Sequence, residues 1–527
     1  MNIETSPKVR ASHGIEGWFP GLLLAVVSIS LYLGGLRNPF VYDDSNTVVQ
    51  NPSILHLGNF RAVLLFDLFR PLVNLSFALD YAAWGLRPVG FHLTSILLHA
   101  VNVALVYALF TRVVEDRRPS AGDPWQLEPG PARLIPLVVA ALFAVHPMMT
   151  ESVVYVSSRS DVLSGTFFLL ALLLMRAGLV RGGIGWIALG VVTFVLALAS
   201  KEVSAMFPFV LLAYDRLLLR PSGPEARRRL LRLHLPMIGL VLLLGTARIV
   251  MFLAIEHPFS IESLGFMVTY LKFEFIVVWT YVRMLLLPWH QSIAHNVSEL
   301  TSLSVLGALA LGAVCMLAYG LRVRAPLLSF GVVWFLLLLV PSSSVLPLQL
   351  PIAEHRVYLA SLGLFLVVAT LFARIAQAFR GRPIGLQVGV FAAGVLALVG
   401  LGSLTVSRNT VWANPVSLWR EATVVAPRWD TYTALGNALR DAKDCEAALF
   451  AYDLASRADR GRLVPVAASW ICLTTLGRTE EAQEVAQRIR QVDPKLQRLC
   501  QEIRDLAPQT VNVQACARQL DAAFGAR

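Results

Sequence analysis

The chain has 527 residues, of which 56% are hydrophobic and 15% charged, and its mean hydropathy is +0.63. A soluble domain carries about a quarter charged residues, so a soluble globular protein is excluded. The formal net charge is +11, but the basic residues fall in the gaps between apolar runs, which speaks for membrane topology and against nucleic-acid binding.

A bilayer core takes roughly 20 apolar residues per helix. Runs of about that length lie near 17–36, 88–111, 134–149, 162–175, 182–200, 203–219, 233–254, 302–321, 325–341, 357–373 and 383–407. Lys8 and Arg10 precede the first run; with many spans following and no clear cleavage site, it reads as a retained helix and not a signal peptide. Arginines then mark alternate gaps: Arg112, Arg117 and Arg118; Arg176 and Arg181; Arg216, Arg220, Arg227, Arg228, Arg229 and Arg232; Arg322 and Arg324; Arg374, Arg380 and Arg382. With these inside, the loops 37–87, 146–161, 200–202 and 342–356 face outside. Residues 265–287 carry Lys272, Glu274 and Arg283, and crossing there would put Arg322 and Arg324 outside. That segment therefore reads as re-entrant or interfacial. The expectation is an all-α, polytopic bundle of about eleven spans.

The character changes near 412, giving a membrane domain over 1–411 and an extracytoplasmic helical domain over 412–527. Leu435, Gly436, Ala448, Tyr452 and Ala455 fit a tetratricopeptide repeat, and Ala482 with Pro494 fits a second copy. Ala448 and Ala482 are 34 residues apart, the length of that repeat. An ordinary array of helical hairpins is the other reading. Cys315 lies in a span, while Cys445, Cys472, Cys500 and Cys516 lie in the exported region. Those four make two disulfides in one of three pairings, or remain buried thiols.

Ionisable groups at a membrane edge are costly, so each cluster is a functional candidate. Tyr42-Asp43-Asp44 follows the first span, with Asn46 and Asn51 beyond. Paired acids suit general-base work, because proximity raises one pKa toward neutrality, and they could also take a divalent cation. His146, Thr150, Glu151, Arg159 and Asp161 form a second group, with Glu151 and Arg159 about two helical turns apart and able to face one cavity. Lys201-Glu202 ends one span, and Tyr214-Asp215 ends the next. Glu354-His355-Arg356, with Tyr358, follows a Pro- and Ser-rich loop, and a cation there could hold a lipid phosphate. His92 and His99 share a helix face with Asn102 nearby; an interhelical hydrogen-bonding role is favoured over metal binding. Trp289, His290 and His295 could line the same vestibule.

In order along the chain stand Phe40-Val-Tyr-Asp-Asp44 with Asn51, Pro71-Leu-x-Asn74, Phe91-His92, His99, Asn102, His146-Pro-x-x-Thr-Glu151, Arg159-x-Asp161, Lys201-Glu202 and Glu354-His-Arg-x-Tyr-Leu359. This set resembles the transmembrane and tetratricopeptide-repeat O-mannosyltransferases and their bacterial relatives, within the GT-C superfamily of membrane glycosyltransferases. The resemblance covers nearly the whole membrane region and the junction to the repeats. It implies a lipid-phosphate-sugar-dependent hexosyltransferase that moves a sugar, often mannose, from a polyprenyl phosphate to a protein or glycan hydroxyl outside. It implies the base role for Asp43, with Asp44 as its neighbour, and carrier-phosphate binding by Arg159 and Arg356; Glu151 is a further catalytic candidate. The other substrate-side candidates are His99, His146, Asp161, Lys201, Glu202, Glu354 and His355. The Ala-, Leu- and Arg-rich loops suit a bacterial cytoplasmic membrane, where the carrier would resemble undecaprenyl phosphate. The short repeat region leaves the acceptor open. A transporter, which would show inverted repeats, and a noncatalytic scaffold recruiting partners through its repeats are the rival readings.

Overall fold

A computed structural model describes residues 18–117, 125–251, 261–296, 303–343, 352–506 and 513–525. Lys8, Arg10, Arg118 and part of the 342–356 loop lie outside the described residues. Among those described the protein is all-α, with no strand.

In chain order the main helices are α1 (Phe19–Tyr32), α2 (Pro71–Trp84), α3 (Pro88–Asp116), α4 (Leu134–Val145), α5 (Arg159–Arg181), α6 (Ile184–Leu198), α7 (Phe207–Tyr214), α8 (Leu235–Met251), α9 (Ile261–Leu286), α10 (Ser304–Leu321), α11 (Pro326–Leu339), α12 (Ser361–Ala378) and α13 (Ile384–Trp412). Then come α14 (Pro415–Val425), α15 (Trp429–Asp441), α16 (Cys445–Ala458), α17 (Val464–Thr475), α18 (Thr479–Val492), α19 (Gln497–Leu506) and α20 (Val513–Gly525). Every one of the eleven apolar runs contains a helix. Seven helices among the described residues are long and apolar enough to cross a membrane, and the bent pair Pro129–Val145 and Pro147–Val154 makes an eighth. The helices α6, α7 and α11 are apolar but shorter. Leucines along α8, α10 and α13 stay exposed, as expected of helices whose outer faces meet lipid.

The bundle has two distinguishable ends. At one end Arg176 binds Asp116 through Nη2 at 2.5 Å and Nε at 2.7 Å, and the Tyr214 hydroxyl donates to the same carboxylate at 2.6 Å. Nearby, Asp215 accepts from Arg229 at 2.7 Å and lies 3.2 Å from His234 Nε2. Arg220 donates to the Arg322 carbonyl at 2.6 Å, and Arg380 pairs with Glu128. The arginine-marked gaps therefore meet at one end. Tyr214-Asp215 belongs there, away from Lys201-Glu202. The first loop, the 147–158 turn, residues 199–204 and 286–295, and the Glu354–Tyr358 segment meet at the other.

The 265–287 segment is part of one unbroken helix, α9, so the re-entrant alternative is corrected: nothing in the sequence breaks the helix between Ile261 and Leu286. Its C-terminal half lies across the second end. Trp279 donates to the Gly307 carbonyl at 2.9 Å, in the first turn of α10, and the Tyr281 hydroxyl donates to the Ala353 carbonyl at 3.1 Å.

Glycine sets one helix crossing. A Cβ on Gly331 of α11 would stand 2.6 Å from the Gly363 carbonyl of α12, so the two backbones touch. In the C-terminal region, the pairs α15–α16 and α17–α18 start 35 and 34 residues apart, from Trp429 to Val464 and from Cys445 to Thr479. Gly436 lies flat against the Tyr452 ring, leaving no room for a side chain. Cys500 and Cys516 form a disulfide, while Cys445 and Cys472 are buried thiols.

Candidate active site

The site is built from five segments at the end opposite the arginines. The first is the loop after α1. Tyr42 takes a left-handed backbone, φ 52, a conformation that costs a non-glycine residue about 1–3 kcal/mol and persists only where its surroundings enforce it. Its ring is held between Tyr155, centroids 6.2 Å apart, and Trp419, edge-on at 5.4 Å. The turn lets the Asp43 N–H donate to the Tyr155 hydroxyl at 3.2 Å. The Asp43 side chain is half-buried. Burial raises its carboxyl above the ordinary value, while the Tyr155 hydroxyl and the Arg70 charge pull it back.

Asp44 does different work. Its Oδ1 accepts from the Ser157 N–H at 2.7 Å and hydroxyl at 2.6 Å, and its Oδ2 accepts from the Val41 N–H at 3.1 Å. Burial pushes it up to about 7 against those bonds. It ties the first loop to the 155–158 turn, which corrects the expectation that it shares the chemistry. The same bonds argue against a cation held between Asp43 and Asp44: one acid of the pair has its oxygens taken. Among the described residues, no group of three or more His, Cys, Asp and Glu is placed to hold a metal ion.

The second segment carries Glu151 on the short helix Thr150–Val154. This helix ends at Tyr155 and α5 begins only at Arg159, so Glu151 and Arg159 do not share a helix face as the spacing suggested. Glu151 Oε1 lies 2.5 Å from His355 Nδ1, and Oε2 accepts from the Glu354 N–H at 3.1 Å. Burial and the charges of Lys201, Arg356 and Arg70 hold the His355 imidazole down at about 3, against Asp161. His355 is thus a neutral, part-exposed ring oriented by Glu151.

The third segment is Lys201-Glu202. The Lys201 ammonium lies 2.5 Å from Asp161 Oδ2. Glu202 accepts from Arg70 Nη2 at 3.0 and 3.2 Å. Arg70 comes from the fourth segment, the start of α2, where the Leu72 N–H donates to the Ala199 carbonyl at 3.2 Å and fixes the register of the two strands of chain. Asp43 and His355 both feel the Arg70 charge. The fifth segment is Glu354-His355-Arg356. Glu354 is fully buried and accepts from the Ser292 N–H at 2.7 Å and Gln291 at 3.0 Å, with His295 Nε2 3.3 Å away. Burial would raise it, but the His295 hydrogen bond, the Arg408 charge and the Ser292 N–H outweigh burial and keep it below its ordinary value. It anchors residues 291–295 and is not exposed to a substrate.

Three other expected contacts are redirected. Arg159 is fully buried: it pairs with Asp80 at 2.6 Å and donates to Ser76, Ser95 and the Phe91 carbonyl. Its guanidinium is therefore spent inside the protein and does not reach a carrier phosphate. His146 caps the turn at Pro147, accepting from the Met148 N–H at 3.2 Å, while its Nε2 meets the Leu285 carbonyl at 3.0 Å. His99 bonds the Tyr358 hydroxyl at 2.8 Å, which Asn102 also reaches at 2.9 Å, and His92 bonds the Asn38 carbonyl at 3.0 Å. The two histidines of α3 thus hydrogen-bond inside the bundle, to the turn at Tyr358 and to the loop after α1, the kind of structural role favoured for them over metal binding. Asp43, Glu151, Asp161, Lys201, Glu202 and His355, by contrast, come together.

Several comparisons bear on this arrangement. The chain is 31% identical over 193 residues to protein O-mannosyl-transferase Tmtc1 of Drosophila melanogaster, a match covering 34% of this chain and 21% of that protein. It is 35% identical over 165 residues to protein O-mannosyl-transferase TMTC2 of Mus musculus, covering 29% and 18%. A longer match reaches protein O-mannosyl-transferase F38B6.6 of Caenorhabditis elegans, 24% identical over 457 residues, 80% of this chain and 60% of the relative. The chain resembles the protein O-mannosyl-transferases. It spans about a fifth of the length of the first of these relatives. No family model and no solved structure matches it.

Four participants escaped the sequence reading: Arg70, Tyr155, Arg408 and Trp412. The Trp412 ring stacks on Tyr155 with centroids 5.6 Å apart. Arg408, 6% exposed, pairs with Glu421, and its charge reaches Glu151 and Glu354. An arginine immediately after the last apolar run was the available signal, because a charge at the edge of a span is expensive.

Proposed function

We propose that the chain is a GT-C-like glycosyltransferase of a bacterial cytoplasmic membrane. It moves a sugar, mannose by analogy with the relatives' names, from a polyprenyl phosphate of the undecaprenyl type to a hydroxyl of a protein or glycan. By the positive-inside rule the arginine-marked end faces the cytoplasm, and the site with the C-terminal tetratricopeptide-like helices (412–527) faces outside. The observation that carries the reading is the gathering of an available acid, Asp43, with Arg70, Lys201 and the Glu151–His355 pair from five distant parts of the sequence.

The acceptor hydroxyl loses its proton to Asp43, and its oxygen forms a bond to the anomeric carbon as the bond from that carbon to the carrier phosphate breaks. Charge grows on the departing phosphate, where Arg70, Lys201 and Arg356 supply compensating cations. Such fixed electrostatic stabilisation is usually the larger contribution. Neutral His355, oriented by Glu151, hydrogen-bonds a sugar hydroxyl or phosphate oxygen. One displacement inverts the anomeric centre.

The test uses purified protein with a panel of polyprenyl-phosphate sugars and acceptor peptides or glycans. Transfer from one of them, with an inverted linkage and loss of transfer in Asp43→Asn at unchanged yield, supports the reading. A retained linkage, or full activity in Asp43→Asn, overturns it.

A further inference from the structure

The helix that follows the bundle turns back onto the site. Along α14, Leu418 and Ala422 are fully buried, as is Ala426 just beyond it. They share one apolar cluster with Val41, Val154, Tyr155, Ile293 and Trp412. Those five residues flank Asp43, Glu151, the 291–295 segment that Glu354 anchors, and Arg408. A helix in the C-terminal region therefore shares an apolar cluster with the Asp43 loop, the Glu151 segment and residues 291–295.

Two contacts go beyond packing. Trp419 meets the Tyr42 ring edge-on on one side while Tyr155 meets it from another. Tyr42 holds the left-handed turn, and Asp43 is the next residue. Removing one wall of this clamp lets Tyr42 relax to negative φ and swings Asp43 away from the Tyr155 hydroxyl. Glu421 makes the second contact, pairing with Arg408 Nη1. Arg408 Nε and Nη2 are buried without a partner, and its charge lies close enough to act on Glu151 and Glu354. Without Glu421 the guanidinium is free to turn to Glu151, whose Oε1 now meets His355 Nδ1, and the ring loses the partner that orients it.

We propose that Trp419 and Glu421, on the first helix after the bundle, are positioning residues for the transfer: Trp419 holds the turn that aims Asp43, and Glu421 holds Arg408 where it leaves the Glu151–His355 pair intact. This rests on the transferase reading and assigns part of its working geometry to the C-terminal region.

The experiment compares Trp419→Ala, Trp419→Phe, Glu421→Gln and Glu421→Asp in the full-length purified protein. A misplacement of about 1 Å can cost a hundredfold in rate, so Trp419→Ala should lose about a hundredfold in kcat with the KM for the lipid donor little changed. Trp419→Phe restores most of it by replacing the aromatic edge. Glu421→Gln should lower kcat and change the pH dependence, and Glu421→Asp should return both toward wild type. Amide hydrogen exchange across residues 40–47 should rise in Trp419→Ala and not in Trp419→Phe. If Trp419→Ala fails to fold, Trp419→Leu, which keeps apolar bulk but no aromatic edge, takes its place with the same expectations. Wild-type kcat in the Ala or Leu variant, or unaltered exchange, overturns the proposal. If the wild-type protein moved no sugar at all, the transferase reading would fall, while the exchange measurement would still decide whether Trp419 holds the Tyr42 turn.

Discussion

Both ends of the bundle bury charge, and they do so differently. At the arginine-marked end, Asp116 is shared by Arg176 and Tyr214, and Asp215 by Arg229 and His234, so each acid is surrounded by donors. Arg159 is the same kind of group at the site end, enclosed by Asp80, Ser76, Ser95 and Phe91. Asp43 and His355 are arranged otherwise. Each is partly exposed, its side chain is held by one neighbouring side chain, Tyr155 for Asp43 and Glu151 for His355, and both lie within reach of cations on neighbouring segments. Saturation marks a charge that stabilises the fold; incomplete enclosure marks one available to a substrate.

This contrast breaks most sharply at Asp43. Asp43→Asn should cut transfer by about a hundred- to ten-thousandfold, the contribution of a general base, with no change in the amount or thermal stability of purified protein. A comparable loss of folded protein would place Asp43 with the saturated acids. At Arg159 the opposite holds. Arg159→Ala leaves Asp80 buried without its cation, and breaking a buried pair costs about 3–5 kcal/mol. It should appear as a lowered thermal midpoint and poor yield, with kcat per folded molecule preserved. Lys201→Ala sits between these, because Lys201 both pairs with Asp161 and faces His355. We expect about a hundred- to thousandfold loss of kcat together with a modest loss of stability.

The pH dependence sharpens the comparison with smaller effects. Burial raises Asp43, and the base must be ionised, so the acid limb of kcat/KM should lie above the ordinary aspartate value of 3.8. Asp44 titrates without reacting. Its folded-state value near 7 exceeds its ordinary 3.8, so the folded protein holds that proton more tightly than the unfolded chain. The stability it contributes is complete below the lower value and is lost as pH rises through about 7. The thermal midpoint of wild type should therefore fall across that window relative to Asp44→Asn. A difference independent of pH would show that Asp44 does not titrate there.

Much of the membrane architecture was legible because the bilayer imposes a length and a composition on each span. Arginine spacing likewise separated the two ends. The motifs named segments that the fold brings to one end of the bundle, yet the partners of individual residues within them were misread for a common reason. Arg159 was expected to face a phosphate, but its partner Asp80 lies on α2, in the first loop, and no local pattern announces it. His146 resembles a ligand in a motif with Glu151, while a Pro at the next position made it a turn cap. Arg70 and Glu202, 132 residues apart, meet only because α2 docks beside residue 199. Local chemistry can be read from a motif; a partner contributed by another helix cannot.

The bare crossing of α11 and α12 has a consequence for this site. His355 stands only eight residues before Gly363, where the backbones of the two helices lie against each other at Gly331. The placement of the imidazole is thus referenced to a contact that has no side chain to compress or rotate. A single methyl group added at either glycine would have to be absorbed by sliding one rod along the other, and the displacement would be delivered to the imidazole from eight residues away.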